Sequence, residues 1–344
     1  MSTPKSVRLG FIGAGFISDY HLAGLAAAGG AEFVIISSGS LAKASRQAQR
    51  FGIAHATADW REVLRRADVD AVVITTPDHT HAEIAIAAAE AGKAVLLQKP
   101  MAPTSAECER IVEAAERCST LLVVSFMHRY FDEVVALREL LARGSLGDVL
   151  SLRIRNATPG PDWNAWFFKK ELVRHGVVAQ LGVHGIDLIR YLFGPIVAVK
   201  ATVAQLQPER VLADGTRVVN EIDDHAFAIY RFRSGALGTQ EMTFAEQAGC
   251  DRFRLEVYGS AGTAWLRYPS QGLALWAPAA TGKKEWVNPE LPNRPFGQLH
   301  HQHFLAQARG DEPPDGSARD GLRSMRVVEA IYRASETGQE QEAE

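Results

Sequence analysis

The sequence is short of cysteine, of long apolar runs and of surplus charge. Its 344 residues hold three cysteines. Cys108, Cys118 and Cys250 are too few and too scattered for a disulfide framework or a zinc knuckle. They read as reduced thiols, which points to a cytoplasmic protein. No apolar run reaches the ~18 residues that span a bilayer. Met1 to Arg8 lacks the apolar segment that precedes a signal cleavage site, so no signal peptide is expected. Lys plus Arg number 37 and Asp plus Glu 40, a formal net charge of −3. That balance supplies no field to hold nucleic acid or an anionic membrane, and neither is expected as a partner. Internal repeats and low-complexity blocks are missing too. What is present is 47% hydrophobic against 22% charged residues. At ~150 residues per domain, that is apolar material for about two cores.

The first third alternates compact apolar runs with helix-like segments. Val7–Ile12, Ala31–Ile36, Asp70–Thr75, Lys93–Leu97 and Leu121–Val124 read as strands. Ser40–Phe51, Asp59–Ala67, His81–Ala91 and Ser105–Arg117 read as helices. Continuous apolar strands between helices predict a parallel sheet buried on both faces, hence a doubly wound α/β domain over residues 1–125. Beyond Ser125 the pattern changes. A helix over Val177–Phe193 is followed by strands in direct succession, which predicts an α+β domain with a largely antiparallel sheet over residues 126–344. Two late helices, about Gln298–Arg309 and Ala318–Ser335, precede a polar tail, Thr337–Glu344, expected to fray.

The first strand runs into Gly13-Ala14-Gly15-Phe16-Ile17-Ser18. Read as G-x-G-x-x-G, Gly13 permits the tight turn and Gly15 lets backbone approach a pyrophosphate. Ser18 holds the third, packing position, where a small residue is needed. A helix beginning there adds unpaired N–H groups for the phosphates, with Phe16 and Ile17 beside them. The second strand ends in Ser37-Ser38-Gly39-Ser40 with Lys43 beyond. No carboxylate stands there to grip a ribose 2′-OH or to repel a 2′-phosphate. Ser38, Gly39, Ser40 and Lys43 are therefore expected to favour NADP over NAD.

Several segments resemble one family. Ala91 to Pro100 (AGKAVLLQKP) resembles the A-G-K-x-V-L-x-E-K-P signature of the Gfo/Idh/MocA oxidoreductases. Thr75 to His81 (TTPDHTH) is similar to that family's T-x-P-x-x-x-H segment. Gly176 to Asp187 (GVVAQLGVHGID) resembles its G-x-x-x-D-x-G-x-H-x-x-D helix. The likeness covers nearly the whole chain, with the motifs in order. It implies an N-terminal Rossmann domain, a second domain with an open-faced sheet, and NAD(P)-dependent hydride transfer at a sugar, cyclitol or related polyol carbon, without a metal.

By this resemblance Lys99 is the catalytic lysine and His184 the proton-transfer histidine. The chemistry agrees. Oxidising a secondary alcohol needs a base for its proton, which His suits near neutral pH, and a cation to stabilise the developing alkoxide. Gln180, His184 and Asp187 are spaced to share one helix face. Two departures stand out. Gln98 and Gln180 replace a Glu and an Asp of the family pattern, and a glutamine can orient an imidazole but cannot take up a proton. Thr76, Pro77, His81, Gln98 and Arg129 are further candidates for the cofactor. Trp163, Trp166, Arg174 and Asp187 are candidates for the substrate. The His300-His301-Gln302-His303 run lacks a zinc-ligand pattern, and no metal is expected. Two other readings remain open, a dinucleotide-binding regulator without catalysis and a glycosidase that recycles its cofactor. An open-faced sheet implies self-association, as a homodimer or homotetramer.

Overall fold

Six short strands with few polar residues form one parallel sheet. They are β1 (Val7–Ile12), β2 (Ala31–Ser37), β3 (His55–Thr57), β4 (Ala71–Ile74), β5 (Ala94–Leu97) and β6 (Leu122–Val124), in the spatial order β3-β2-β1-β4-β5-β6. Every residue of β4 and β6 is buried. Strands covered on both faces need apolar residues at every position, so their sequences are continuous rather than alternating. The strands are joined through α1 (Phe16–Ala28), α2 (Leu41–Phe51), α3 (Trp60–Arg65), α4 (His81–Glu90) and α5 (Ser105–Arg117). This is the doubly wound fold that the sequence pattern predicts. Its strand order reverses between β1 and β4, where such folds open a crevice for ligands.

The computed structural model describes residues 6–248, 251, 253–268, 272–292 and 294–344. Cys250 lies outside the described residues. The chain divides into two compact units, Met1–Phe131 with Asn293–Leu322, and Asp132–Pro292 with Arg323–Glu344.

The second unit contains α6 (Asp132–Ala142), β7 (Val149–Ala157), α7 (Val183–Phe193) and β8 (Ile196–Ala204). A small hairpin follows, β9 (Glu209–Val211) with β10 (Arg217–Val219). Then come β11 (His225–Phe232), β12 (Leu237–Thr243), β13 (Phe253–Gly259), β14 (Thr263–Tyr268) and β15 (Gly272–Trp276). With β16 (Gln341–Glu342), the larger sheet runs β15-β14-β13-β7-β12-β11-β8-β16. All its pairings are antiparallel except β12 with β7. Along β11, Ala226, Ala228, Tyr230 and Phe232 are buried and Phe227 and Ile229 exposed. The period of two marks a sheet with one covered face and one open face. The tail departs from the fraying expected of a polar terminus. β16 pairs with β8, Ala343 is buried, and Arg190 Nη2 lies 2.7 Å from the Glu344 carboxylate. A short ladder and a shielded ion pair hold a segment whose composition alone suggests none.

The His300–His303 run is explained by helix packing in the first unit. The helix Gln298–Arg309 lies against α1. Contact is close because Gly24 has no side chain, and a Cβ there would stand 2.2 Å from His301 Nδ1. His301 Nδ1 is 2.7 Å from the Gly297 carbonyl oxygen, so Nδ1 carries the proton. His301 Nε2 therefore accepts from His21 Nδ1 at 2.9 Å. Both tautomers are fixed in the neutral state, and both rings are buried. Burial depresses all three buried pKa values, His21 and His300 well below 6.5 and His301 to about 4. Among the described residues, no group of three or more side chains could hold a metal ion.

The folded state thus disfavours protons that the unfolded chain takes up below 6.5. This contribution to stability is complete above that value and is lost as pH falls toward about 4. We expect the thermal midpoint to drop across this window, by about 2–4 °C per kcal/mol. His301→Gln should flatten the slope in a calorimetric pH series.

Candidate active site

Sheet register brings five distant segments of the first unit to one edge. Ile12 pairs with Ile74, Ile74 with Leu97, and Leu97 with Val124. Gly13, Thr75, Gln98 and Ser125 each continue the ladder, through Gly13 N–H to Ser37, Thr75 N–H to Ile12, Gln98 N–H to Ile74 and Ser125 N–H to Leu97. The carboxyl ends of β1, β2, β4, β5 and β6 therefore place the glycine turn, Ser38, Thr75–Thr76, Gln98–Lys99 and Ser125 in one row. Gly13 has a φ of +117°, and a Cβ there would sit 2.5 Å from Thr75 Oγ1. No other residue tolerates that conformation and that contact together. At Gly15 a Cβ would meet nothing within 4 Å, so the space before the α1 N-terminus is open.

Ser18 gives the reason its position is not glycine. Its buried hydroxyl donates to the Gly13 carbonyl at 3.0 Å, accepts the Gly15 N–H at 3.1 Å and lies 2.8 Å from Thr75 Oγ1. One side chain thus holds the turn against both strands. Open space in front of the positive end of the α1 dipole fits a pyrophosphate. Ser38 and Ser40 are half-buried beyond β2, while Gly39 and Lys43 are exposed. Phe16 is exposed as well, and Ile17 is half-buried.

Lys99 is half-buried at the end of β5, and the chain around it is held by side chains. Buried Gln98 turns its Oε1 back to accept the Lys99 N–H at 3.0 Å. A glutamate would offer the same oxygen, so Gln98 keeps the acceptor and drops the charge. His81, at the first position of α4, is buried. Its Nε2 is 2.9 Å from the Thr76 carbonyl oxygen, and its Nδ1 is 3.0 Å from that of Pro100 and 3.3 Å from that of Met101. Burial lowers the pKa of the ring, against the Asp78 carboxylate and the three carbonyls, which raise it. Arg129 is buried and bonded through Nη2 to Asp320 at 2.9 Å, with its guanidinium over the Phe126 ring. Half-buried Thr76 accepts from the Thr80 hydroxyl at 2.7 Å, and Pro77 opens the short turn Asp78–Thr80.

In the second unit, Gln180, His184 and Asp187 lie on one continuous helical stretch, with a difference from the even spacing the sequence predicts. Val178–Gly182 is a π-turn, and α7 begins at Val183. Gln180 and His184 thus straddle the junction. Such turns recur at functional sites. The sheet beneath supplies a partner for this turn. Tyr230 donates to Gln240 Oε1 at 2.6 Å. That bond fixes the amide so that Gln240 Nε2 donates to Asn156 Oδ1 at 2.8 Å and to the Gly182 carbonyl at 3.0 Å. Gly185 lets the helix sit on this network, since a Cβ there would meet Asn156 Oδ1 at 2.1 Å.

The stretch is capped as well. The Asp223 carboxylate accepts from Gly176 N–H at 2.9 Å, Val178 N–H at 3.3 Å and the Tyr332 hydroxyl at 2.8 Å. A carboxylate at a helix start also meets the favourable end of the helix dipole. Burial and Asp223 together push the Tyr332 phenol well above 10. His184 and Asp187 are buried, while Gln180 is half-buried. Trp163 is 54% exposed, and Trp166 packs on Phe167 with ring centroids 5.6 Å apart. Arg174 is exposed. Asp223, Tyr230, Gln240 and Asn156 escape a sequence reading because no local pattern ties them to His184. The one available signal is a polar residue at an inward position of a strand.

Two family models match the chain. Residues 7–126 match the oxidoreductase family with an NAD-binding Rossmann fold, and residues 134–265 match the Gfo/Idh/MocA C-terminal domain. Levoglucosan dehydrogenase of Pseudarthrobacter phenanthrenivorans is 31% identical over 77% of this chain and 74% of its own. Inositol 2-dehydrogenase 1 of Saccharopolyspora erythraea is 30% identical over 98% and 97%. A levoglucosan dehydrogenase structure with NADH and levoglucosan superimposes with a TM-score of 0.88 at 27% identity, over 99% of this chain and 100% of that one. These structures overturn the preference for NADP over NAD, because the dinucleotide held in them is NADH. The physical reason lies at residues 38–40. Two hydroxyls and a glycine N–H suit an uncharged ribose diol, and a missing carboxylate does not by itself create a phosphate site. Lys43 is exposed. With both halves matched in order and relatives aligned along nearly the full length, this chain belongs to the Gfo/Idh/MocA oxidoreductase family.

Proposed function

We propose that this protein is an NAD-dependent dehydrogenase that moves a hydride between nicotinamide and a secondary alcohol carbon of a sugar, cyclitol or related polyol. The observation that carries this reading is Lys99, held at the carboxyl edge of the sheet in the same row as the open glycine turn. Backbone at Gly13 and Gly15, with the α1 N-terminus and neighbouring Phe16 and Ile17, would take the pyrophosphate. Ser38, Gly39 and Ser40 would take the adenosine ribose, and Thr76, Pro77 and Gln98 would line the path toward the nicotinamide end. Bound there, NAD supplies the hydride acceptor.

The residues of the chain do the rest. The Lys99 ammonium donates to the substrate oxygen and stabilises negative charge as it develops. His184 takes the hydroxyl proton as the general base. The Gln180 amide orients that ring without adding charge, and Asp187 lies one turn further along the same helix. Trp163 and Trp166 offer aromatic faces to a sugar ring, and exposed Arg174 favours hydroxyl-rich or acidic substrates. The open sheet face, with Phe227, Ile229 and Leu237 each more than half exposed, serves self-association as a homodimer or homotetramer.

Three measurements check this reading. In absorbance assays at the nicotinamide band across sugars and cyclitols, Lys99→Ala and His184→Ala should each lower kcat by at least about a hundredfold. Near-normal turnover in both variants removes the assignment, and NADH binding without turnover on any polyol favours the regulator. Parallel assays should give a kcat/KM for NAD at least about tenfold above that for NADP. In sedimentation velocity the wild type should run as a dimer or tetramer, and Phe227→Lys with Ile229→Lys should shift it to monomer.

A further inference from the structure

We propose that His81 is a positioning residue for Lys99, and that the ring works as a clamp between the loop after β4 and the segment after β5. The inference rests on the reading of Lys99 as the group that binds the substrate oxygen. The ring is buried at the first position of α4. On one side Nε2 is 2.9 Å from the Thr76 carbonyl oxygen, and on the other Nδ1 is 3.0 Å from that of Pro100. The Met101 carbonyl is a third contact, at 3.3 Å from Nδ1. A neutral ring donates to one side at a time and an imidazolium to both, and burial, outweighing the Asp78 carboxylate, lowers the pKa of the ring. In either state the same rigid plane stands between the two loops.

The consequence falls on Lys99. Its N–H is held by Gln98 Oε1 at 3.0 Å. The carbonyl of the next residue, Pro100, is held by His81. The main chain is thus gripped on both sides of the residue whose ammonium must meet a substrate oxygen. The ring also refers this grip to Thr76, the residue after Thr75, whose Oγ1 crowds Gly13, so that the glycine turn and Lys99 share one frame. A side chain of four rotatable carbons needs a fixed root, because displacement of a reacting group by about 1 Å can cost about a hundredfold in rate.

The test uses the full-length enzyme and the variants His81→Ala and His81→Asn, with Gln98→Leu removing the other grip. Hydrogen–deuterium exchange followed by mass spectrometry reads the Lys99 amide without any substrate. Exchange there should rise at least about tenfold in His81→Ala, with the strands of the sheet unchanged. The kcat on the wild type's best polyol should fall at least about tenfold while the Kd for NADH, from fluorescence titration, stays within about twofold. Added imidazole, which fits the vacated space, should restore much of the lost kcat. Should His81→Ala not fold, His81→Asn, which keeps one donor, carries the same measurements. Unchanged exchange at Lys99 overturns the proposal. So does a kcat loss explained wholly by weaker NADH binding, or one that imidazole leaves untouched. A wild type that oxidises no polyol instead removes the dehydrogenase reading, and the exchange result still decides the clamp.

Discussion

Gly13 and Thr75 touch, and the first unit is arranged around that contact. A strand that ends in a turn of positive φ can run this close to its neighbour only if it has no side chain there. The approach sets where α1 starts, and so where the positive end of its dipole points. It also aligns the end of β4 with the end of β1, and the ladder passes that alignment on to β5 and β6. Ser18 locks the arrangement by bonding both partners at once. Each later segment of the site inherits its place from this one register.

The second unit solves a different problem. A helix bearing His184 must lie on a sheet while presenting a polar side chain in a defined direction. Two glycines, Gly182 and Gly185, bring the helix close, and an inward-facing trio of Tyr230, Gln240 and Asn156 meets it. Buried polar groups are costly unless bonded, so such a trio tolerates few alternative packings. The π-turn, the glycines and the polar trio are parts of one fit.

Much of this was legible in the sequence. The apolar strands announced the parallel sheet because burial on both faces leaves no polar option. The open face of the second sheet was implied by the family resemblance, and the burial pattern of β11 shows it. The G-x-G turn stands out because only glycine meets its geometry, whereas Lys99 and His184 stand out through the family resemblance. Other features were not visible, for physical reasons. The His300–His303 run lacks a zinc-ligand pattern, but its packing role rests on the close approach at Gly24, which no local pattern shows. The bonds made by Tyr230 and Gln240 join residues with no shared local pattern. The tail was misjudged as frayed because an ion pair with Arg190 leaves no trace in composition. The nucleotide preference was misjudged because the absence of a carboxylate is weaker information than its presence.

Gln98 separates two properties that a carboxylate would tie together. Its Oε1 makes the bond that shapes the chain at Lys99, yet the residue is neutral. Charge at this point can therefore change by a single substitution while the backbone keeps its path. The electrostatics beside Lys99 and the path of its main chain are thus set by different atoms of one side chain.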